Sequence, residues 1–140
     1  MNKRNKVLVG GCFDLFHYGH LLFLKKARAL GEYLVVALEA DEFIRKHKQR
    51  EPIHTQAERA AILRSLRVVD EVLELPSSQT AIDYLKIVKE IQPTVIAVTL
   101  GDPQFANKQQ QAAAVGAKIV TVTPLIANFS TSSIIARLSE

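Results

Sequence analysis

Short runs of branched apolar residues alternate along this chain with longer stretches in which apolar positions return every three or four residues. The first run, Lys6 to Gly10, is β-branched and closed by Gly10 and Gly11, the pattern of a strand buried on both faces. From Tyr18 to Leu30 the residues Leu21, Leu22, Leu24, Ala27, Ala29 and Leu30 keep a helical spacing, with Lys25, Lys26 and Arg28 on other faces. Gly31 stands where a glycine C-cap would stop that helix. Tyr33 to Leu38 is a second apolar run of strand length. Strand, helix and strand in such close succession predict a βαβ unit, with parallel pairing and a right-handed crossover.

The alternation continues. Helices are expected from about Gln56 to Leu66, Ala81 to Ile91 and Gln104 to Val115, and a last one opens at Ser130 or Thr131. Strands are expected at Glu71 to Leu75, Thr94 to Leu100 and Lys118 to Val122. Arg45 to Glu51, the most polar stretch, reads as a solvated loop between the second strand and the next helix. The whole pattern predicts an α/β fold, a Rossmann-like doubly wound five-stranded parallel sheet in a single domain over residues 1–140. In such sheets ligands bind outside the carboxyl ends of the strands, where the strand order reverses. Function is therefore expected in the loops after the first, second, fourth and fifth strands.

Composition narrows the class. With 140 residues, 48% apolar and 23% charged, the chain suits one globular domain and excludes disorder as its main state. A single cysteine, Cys12, excludes an internal disulfide and a multi-cysteine zinc site, so a reducing cytoplasm is the expected setting. No apolar span approaches the roughly 20 residues a membrane helix needs, so neither export nor membrane insertion is expected. Eighteen basic against fourteen acidic residues give a net charge of +4 without a basic tract. That balance favours a small anionic ligand over nucleic acid.

The segment Gly10 to His20 holds the densest chemistry. Its glycines let the backbone approach a ligand, and a helix N-terminus with free N–H groups suits phosphate. His17 and His20 lie three residues apart at a helix start, on one face, where they reach neighbouring oxygens of one polyphosphate. Neither the Walker pattern nor Gly-x-Gly-x-x-Gly is present.

Gly11-Cys12-Phe13-Asp14 followed by His17-Tyr18-Gly19-His20 resembles the signature of the cytidylyltransferase-like nucleotidyltransferases. Asp41 to Lys48, then Arg50-Glu51-Pro52-Ile53 and Glu58-Arg59, resembles that family's lysine-containing loop and the helix behind it. Val69-Asp70-Glu71-Val72 and the closing Phe129 to Ile135 segment match in the same order. The resemblance implies transfer of a CMP or AMP moiety from CTP or ATP to a small phosphate-ester acceptor, with release of pyrophosphate and help from Mg²⁺. Positioning and charge stabilisation then carry the catalysis, with no covalent nucleophile.

On that resemblance, His17, His20 and Lys48 are the catalytic candidates, with Lys46 the alternative lysine. Gly11, Cys12, Phe13, Asp14, Gly19, Gly101, Asp102, Ser130 and Thr131 are candidates for nucleotide binding, and Lys46 and Arg59 for acceptor binding. Asp14 is read either as a Mg²⁺ contact or as a support of its loop, and no protein-held metal set is assigned. Family members are commonly dimers, so a homodimer is expected. The Asp41 to Arg59 segment is similar to ATP-using members, which include archaeal-type FAD synthases and heptose-phosphate adenylyltransferases. Ser65 to Val72 is similar to CTP-using ones. Glycerol-3-phosphate cytidylyltransferases carry an arginine just before the Ser-Thr motif, whereas Pro124 to Asn128 holds no basic residue.

Each candidate has a plainer rival. A histidine at a helix start is usually a cap, Ser130 to Ser133 is a good capping sequence in its own right, and Gly-Asp-Pro is an ordinary turn. Cys12 reads as a small packed residue, and His47 and His54 as surface residues. A nucleotide-binding module without turnover would not need both histidines and a lysine. An RNA-binding Rossmann protein would bind oligonucleotides with a steep salt dependence.

Overall fold

A computed structural model describes residues 4–77, 79–123 and 130–139. Five strands run Lys6–Gly11 (β1), Tyr33–Leu38 (β2), Glu71–Glu74 (β3), Val95–Thr99 (β4) and Lys118–Thr123 (β5). The helices are Tyr18–Arg28 (α1), Asp41–Lys48 (α2), Gln56–Arg64 (α3), Ala81–Ile91 (α4), Phe105–Val115 (α5) and Thr131–Leu138 (α6). The sheet is parallel throughout, in the order β3-β2-β1-β4-β5. The order reverses between β1 and β4.

Strand parity sorts the core into two layers. Val7, Val9, Val36 and Leu38 meet Phe23, Leu24 and Ala27 of α1 and Ala60 and Leu63 of α3. Leu8, Val35, Ala37, Ile96 and Val98 meet Val88 and Ile91 of α4 and Ala112 of α5. Both faces are covered, which is why the strands read as continuous apolar runs rather than alternating ones. β1 pairs with β2 over its whole length, from Lys6↔Tyr33 to Gly11↔Leu38, but with β4 only at Val7↔Val95 and Leu8↔Ile96. β1 and β4 part toward their carboxyl ends, and a crevice opens at the switch point.

Two expectations about elements are corrected. The polar stretch after β2 is mostly helix. Arg45 to Lys48 form its last turn, Asp41 and Glu42 its first, and Gln49 ends it in the left-handed conformation. Acidic residues at the N-terminus and basic ones at the C-terminus favour that helix through its dipole, and a buried Ile44 anchors it. Gly31 is not a left-handed cap either. α1 ends at Ala29, and a Cβ on Gly31 would run into the Asn5 carbonyl oxygen and Val7 Cγ2. Glycine is there to let the turn pass close over the start of β1.

Candidate active site

A cavity of about 880 Å³ lies over the carboxyl ends of β1, β2 and β4. Its floor is the loop from β1 into α1, where Phe13 and Leu15 both carry positive φ (48° and 52°). Residues with side chains rarely hold that conformation, so the loop is strained beside the cavity.

His17 and His20 start α1 and cap it reciprocally. His17 Nδ1 accepts from the Gly19 amide at 3.1 Å, and His20 Nδ1 accepts from the His17 amide at 3.2 Å. Because both Nδ1 atoms accept, each neutral ring carries its proton on Nε2. The rings stack with centroids 3.7 Å apart, and Phe13 and Phe16 each lie 5.3 Å from the His20 ring. Burial, His17 and Lys48 push the His20 pKa down to about 3, against the opposite pull of Asp14, and burial lowers that of His17. Protonating Nδ1 would also break the cap. The pair is therefore two neutral N–H donors, and His17 Nε2 is buried with no partner among the described residues. The capping reading of these histidines is thus observed, and it leaves both Nε2–H groups out of the cap.

Asp14 is almost wholly buried. Its carboxylate accepts from Arg50 Nη1 (2.8 Å), the Ile53 amide (2.8 Å) and the His54 amide (2.9 Å). Burial raises its pKa, but Arg50 and the two amides outweigh that and hold it below the usual carboxylate range. Asp14 thus supports the loop by tying it to the chain between α2 and α3. The described residues hold no group of three His, Cys, Asp or Glu side chains able to hold a metal.

Arg59 corrects the sequence reading. It has no exposed surface, and its guanidinium donates to the carbonyls of His54 (3.1 Å), Cys12 (2.8 Å) and Glu39 (2.8 Å) and to Asp41 Oδ1 (2.6 Å). A guanidinium has five N–H donors, and these contacts engage four of them. It is a hub that joins the glycine loop, β2, α2 and α3, and it is absent from the cavity wall. Gly101 is corrected similarly: it is exposed, has φ +78° and does not line the cavity, so it serves the turn. Asp102 does line it, paired with Lys108 at 2.7 Å and accepting from the Gln104 amide at 2.7 Å.

Lys46 and Lys48 both line the cavity. Only Lys48 lies close enough to lower the pKa of His20 and of Cys12. Cys12 nonetheless keeps its proton, because burial pushes its thiol up to about 11. Gly11 and Gly19 contribute backbone to the wall. Ser130 caps α6 by accepting from the Ser133 amide at 3.0 Å, and the Thr131 hydroxyl donates to the Asp14 carbonyl. Both hydroxyls are therefore engaged, one within α6 and one on the glycine loop, and Ser130, Thr131 and Ser132 at the start of α6 line the cavity. Phe129 and the stretch Pro124 to Asn128 lie outside the described residues.

Sequence reasoning missed Glu39, Gln79, Tyr84, Lys108 and Gln111, all on the wall, and left Arg50 unassigned although its Nε is buried and unpartnered. Glu39 did leave a signal: a carboxylate directly after the apolar run of β2, at the carboxyl edge of the sheet.

A Rossmann-like sheet whose switch-point cavity carries paired imidazole donors, lysines and a helix N-terminus defines a nucleotidyltransferase. The chain belongs to the cytidylyltransferase-like family, whose profile matches residues 8–137. It is 40% identical to the FAD synthase of Thermococcus kodakarensis over 99% of this chain and 94% of that protein. It is 38% identical to the bifunctional protein HldE of Helicobacter hepaticus over 99% of this chain, which spans 27% of that longer protein. An ethanolamine-phosphate cytidylyltransferase of Mus musculus is 41% identical over 57% of this chain and 20% of its own length. A lipopolysaccharide core biosynthesis protein from Thermoplasma volcanium superposes with a TM-score of 0.75 at 28% identity, covering 89% of this chain and all of its own.

Proposed function

We propose that this nucleotidyltransferase is an ATP-dependent FAD synthase, transferring AMP from ATP to the phosphate of FMN with release of pyrophosphate. The observation that carries the transfer chemistry is the buried, unpartnered Nε2 of His17, a neutral donor on a residue that lines the cavity beside its stacked partner His20. The choice of ATP and FMN rests on the similarity to FAD synthase over nearly the full length of both chains.

An FMN phosphate oxygen attacks the α-phosphorus in line, and the bond from the α-phosphorus to the bridging oxygen of the pyrophosphate breaks. Charge builds on the phosphoryl oxygens and on the leaving group. The Nε2–H groups of His17 and His20 donate to those oxygens, and Lys48 neutralises charge between the donor and acceptor phosphates. The first amides of α6 hold the terminal phosphates, and Arg50, paired with Asp14 through Nη1, offers its unpartnered Nε–H at the α2 side. The nucleotide is taken as its Mg²⁺ complex. Fixed donors in a preformed cradle require no reorganisation as the charge develops, which favours the transition state over the ground state.

The reading includes a cytoplasmic homodimer, which sizing in solution tests. The similarity to HldE supports a second reading, a heptose-phosphate adenylyltransferase. One experiment separates them: pyrophosphate release with Mg²⁺ and ATP or CTP, against a panel of FMN, sugar 1-phosphates, glycerol 3-phosphate and phosphoethanolamine. FAD appearing only with ATP and FMN is the expected result. Turnover with another pair replaces this reading.

A further inference from the structure

The cavity has two chemically different ends. Near α1, α2 and α6 it is lined by His17, Lys48, the start of α6 and Arg50, whose Nη1 is paired with Asp14 and whose Nε–H has no partner among the described residues. On the α4 and α5 side it is lined by Glu39, Gln79, Gln111 and the Tyr84 hydroxyl, with Lys108 held in an ion pair by Asp102. Val35 and Ala37 pack into the α4–α5 core layer, so Glu39, two residues on, leaves the edge of the sheet toward that same face. Its backbone is pinned, the amide donating to the Gly11 carbonyl at 3.0 Å and the carbonyl accepting from Arg59. Gly10 leaves room for the side chains that reach over β1. A Cβ there would stand 2.8 Å from the Tyr84 hydroxyl and 3.8 Å from Lys108 Cε.

Two further groups point to a ligand. Gln79 Oε1 and Gln111 Oε1 are buried and have no hydrogen-bond partner among the described residues, and both side chains line this cavity. Buried acceptors without donors cost free energy unless a bound molecule supplies the hydrogens. Lys108 does not supply them all, because its ammonium is paired with Asp102. The cation at this end, Lys108, is already neutralised by Asp102, so the donor end is the better place for a phosphate.

We propose that Glu39 and the side-chain carbonyl oxygens of Gln79 and Gln111 form an accepting wall that selects the phosphorylated acceptor by hydroxyl or N–H groups on its uncharged body. The ligand class is a phosphate monoester whose far part is rich in hydrogen-bond donors. FMN, with its ribityl hydroxyls and imide N–H, is such a molecule. The inference rests on the reading that this cavity holds a phosphorylated acceptor, and it makes Glu39 a specificity-determining residue rather than a catalytic one. A site built to receive donors rejects ligands that lack them, because its own acceptors are then left bare.

The test is steady-state FAD formation by wild type, Glu39→Ala, Glu39→Gln and Gln111→Leu, with thermal melting of each. Glu39→Ala is expected to raise the KM for FMN about tenfold while leaving the KM for ATP and kcat within about twofold. Glu39→Gln, which keeps one accepting oxygen, recovers part of that loss, and Gln111→Leu raises the FMN KM independently should Glu39→Ala fold poorly. An unchanged FMN KM, an equal rise in the ATP KM, or a loss confined to kcat overturns the proposal. Quenching of flavin fluorescence separates it from the functional reading. Wild type that binds FMN without making FAD sinks the reading, and the wall then stands or falls on whether Glu39→Ala weakens that binding about tenfold. No FMN binding by wild type overturns both.

Discussion

In the proposed mechanism His17 serves the helix and the reaction with opposite ends of one ring. Nδ1 caps α1 and Nε2 is left without a partner among the described residues, so the two roles separate by substitution. His17→Asn keeps a good capping side chain, whereas His17→Ala loses it at about 1 kcal/mol. Both are expected to lose turnover by roughly a hundredfold or more, as removal of a preorganised donor does. Pyrophosphate release and melting measure the two effects. An Asn variant that melts like wild type and retains its rate refutes the donor role. Arg59 makes the converse case. Arg59→Met leaves Asp41 and three carbonyls without their donor, and it should destabilise the fold by ~3–5 kcal/mol. Urea unfolding checks this. A variant that unfolds like wild type while its acceptor KM rises would restore Arg59 as a binding residue.

Among the elements, α1 and α2 show how local sequence and packing divide the work. The spacing of apolar residues in α1 announced the helix, but not why Gly31 follows it. The reason is long-range: the turn passes against Asn5 and Val7 at the start of β1. Gly31→Ala is expected to cost about 1–3 kcal/mol from overpacking, measured by chemical denaturation. A left-handed cap would instead have predicted strain in φ, which Gly31 does not have. The polar surface of α2 hid a helix whose only buried residue is Ile44. Charge clusters with one apolar anchor carry little periodic signal, so the stretch read as loop. Its helical form sets Lys48 four residues from Ile44, on the side turned toward the protein.

For the whole molecule, buried titratable groups set opposing pH dependences. Between pH 6.5 and about 3 the unfolded chain holds a proton on His20 that the native state does not, so stability falls as pH falls through that window. Glu39 acts in the other direction. Burial raises its pKa from 4.5 to about 7, against the pull of Lys108 from α5 and Arg59 from α3, and with Tyr84 of α4 also beside it. From pH 4.5 to 7 the native state keeps a proton that the unfolded chain has lost, so this group makes stability fall as pH rises. Glu39→Gln removes that term. Its melting temperature relative to wild type is expected to increase between pH 5 and pH 8. An unchanged difference means that Glu39 titrates normally.

The sequence by itself determined the alternation of strands and helices, hence the doubly wound sheet, and the glycine loop with its histidine pair. These are local facts: apolar period, turn residues and helix starts are written in neighbouring positions. It also placed the start of α6 at Ser130 or Thr131, because a capping side chain acts on its own helix. Only the tertiary structure decided what each polar residue faces. Arg59 lay in a family-like motif, and folding directed its guanidinium to the backbone of three other segments. Asp14 met Arg50 and the amides of Ile53 and His54 across 36 to 40 residues of chain. Glu39, Gln79 and Gln111 became one wall because β2, the approach to α4 and α5 converge on one face of the sheet. Periodicity gives the side of an element that is buried, but partners distant in sequence are chosen by the packing of whole elements, which no local pattern encodes.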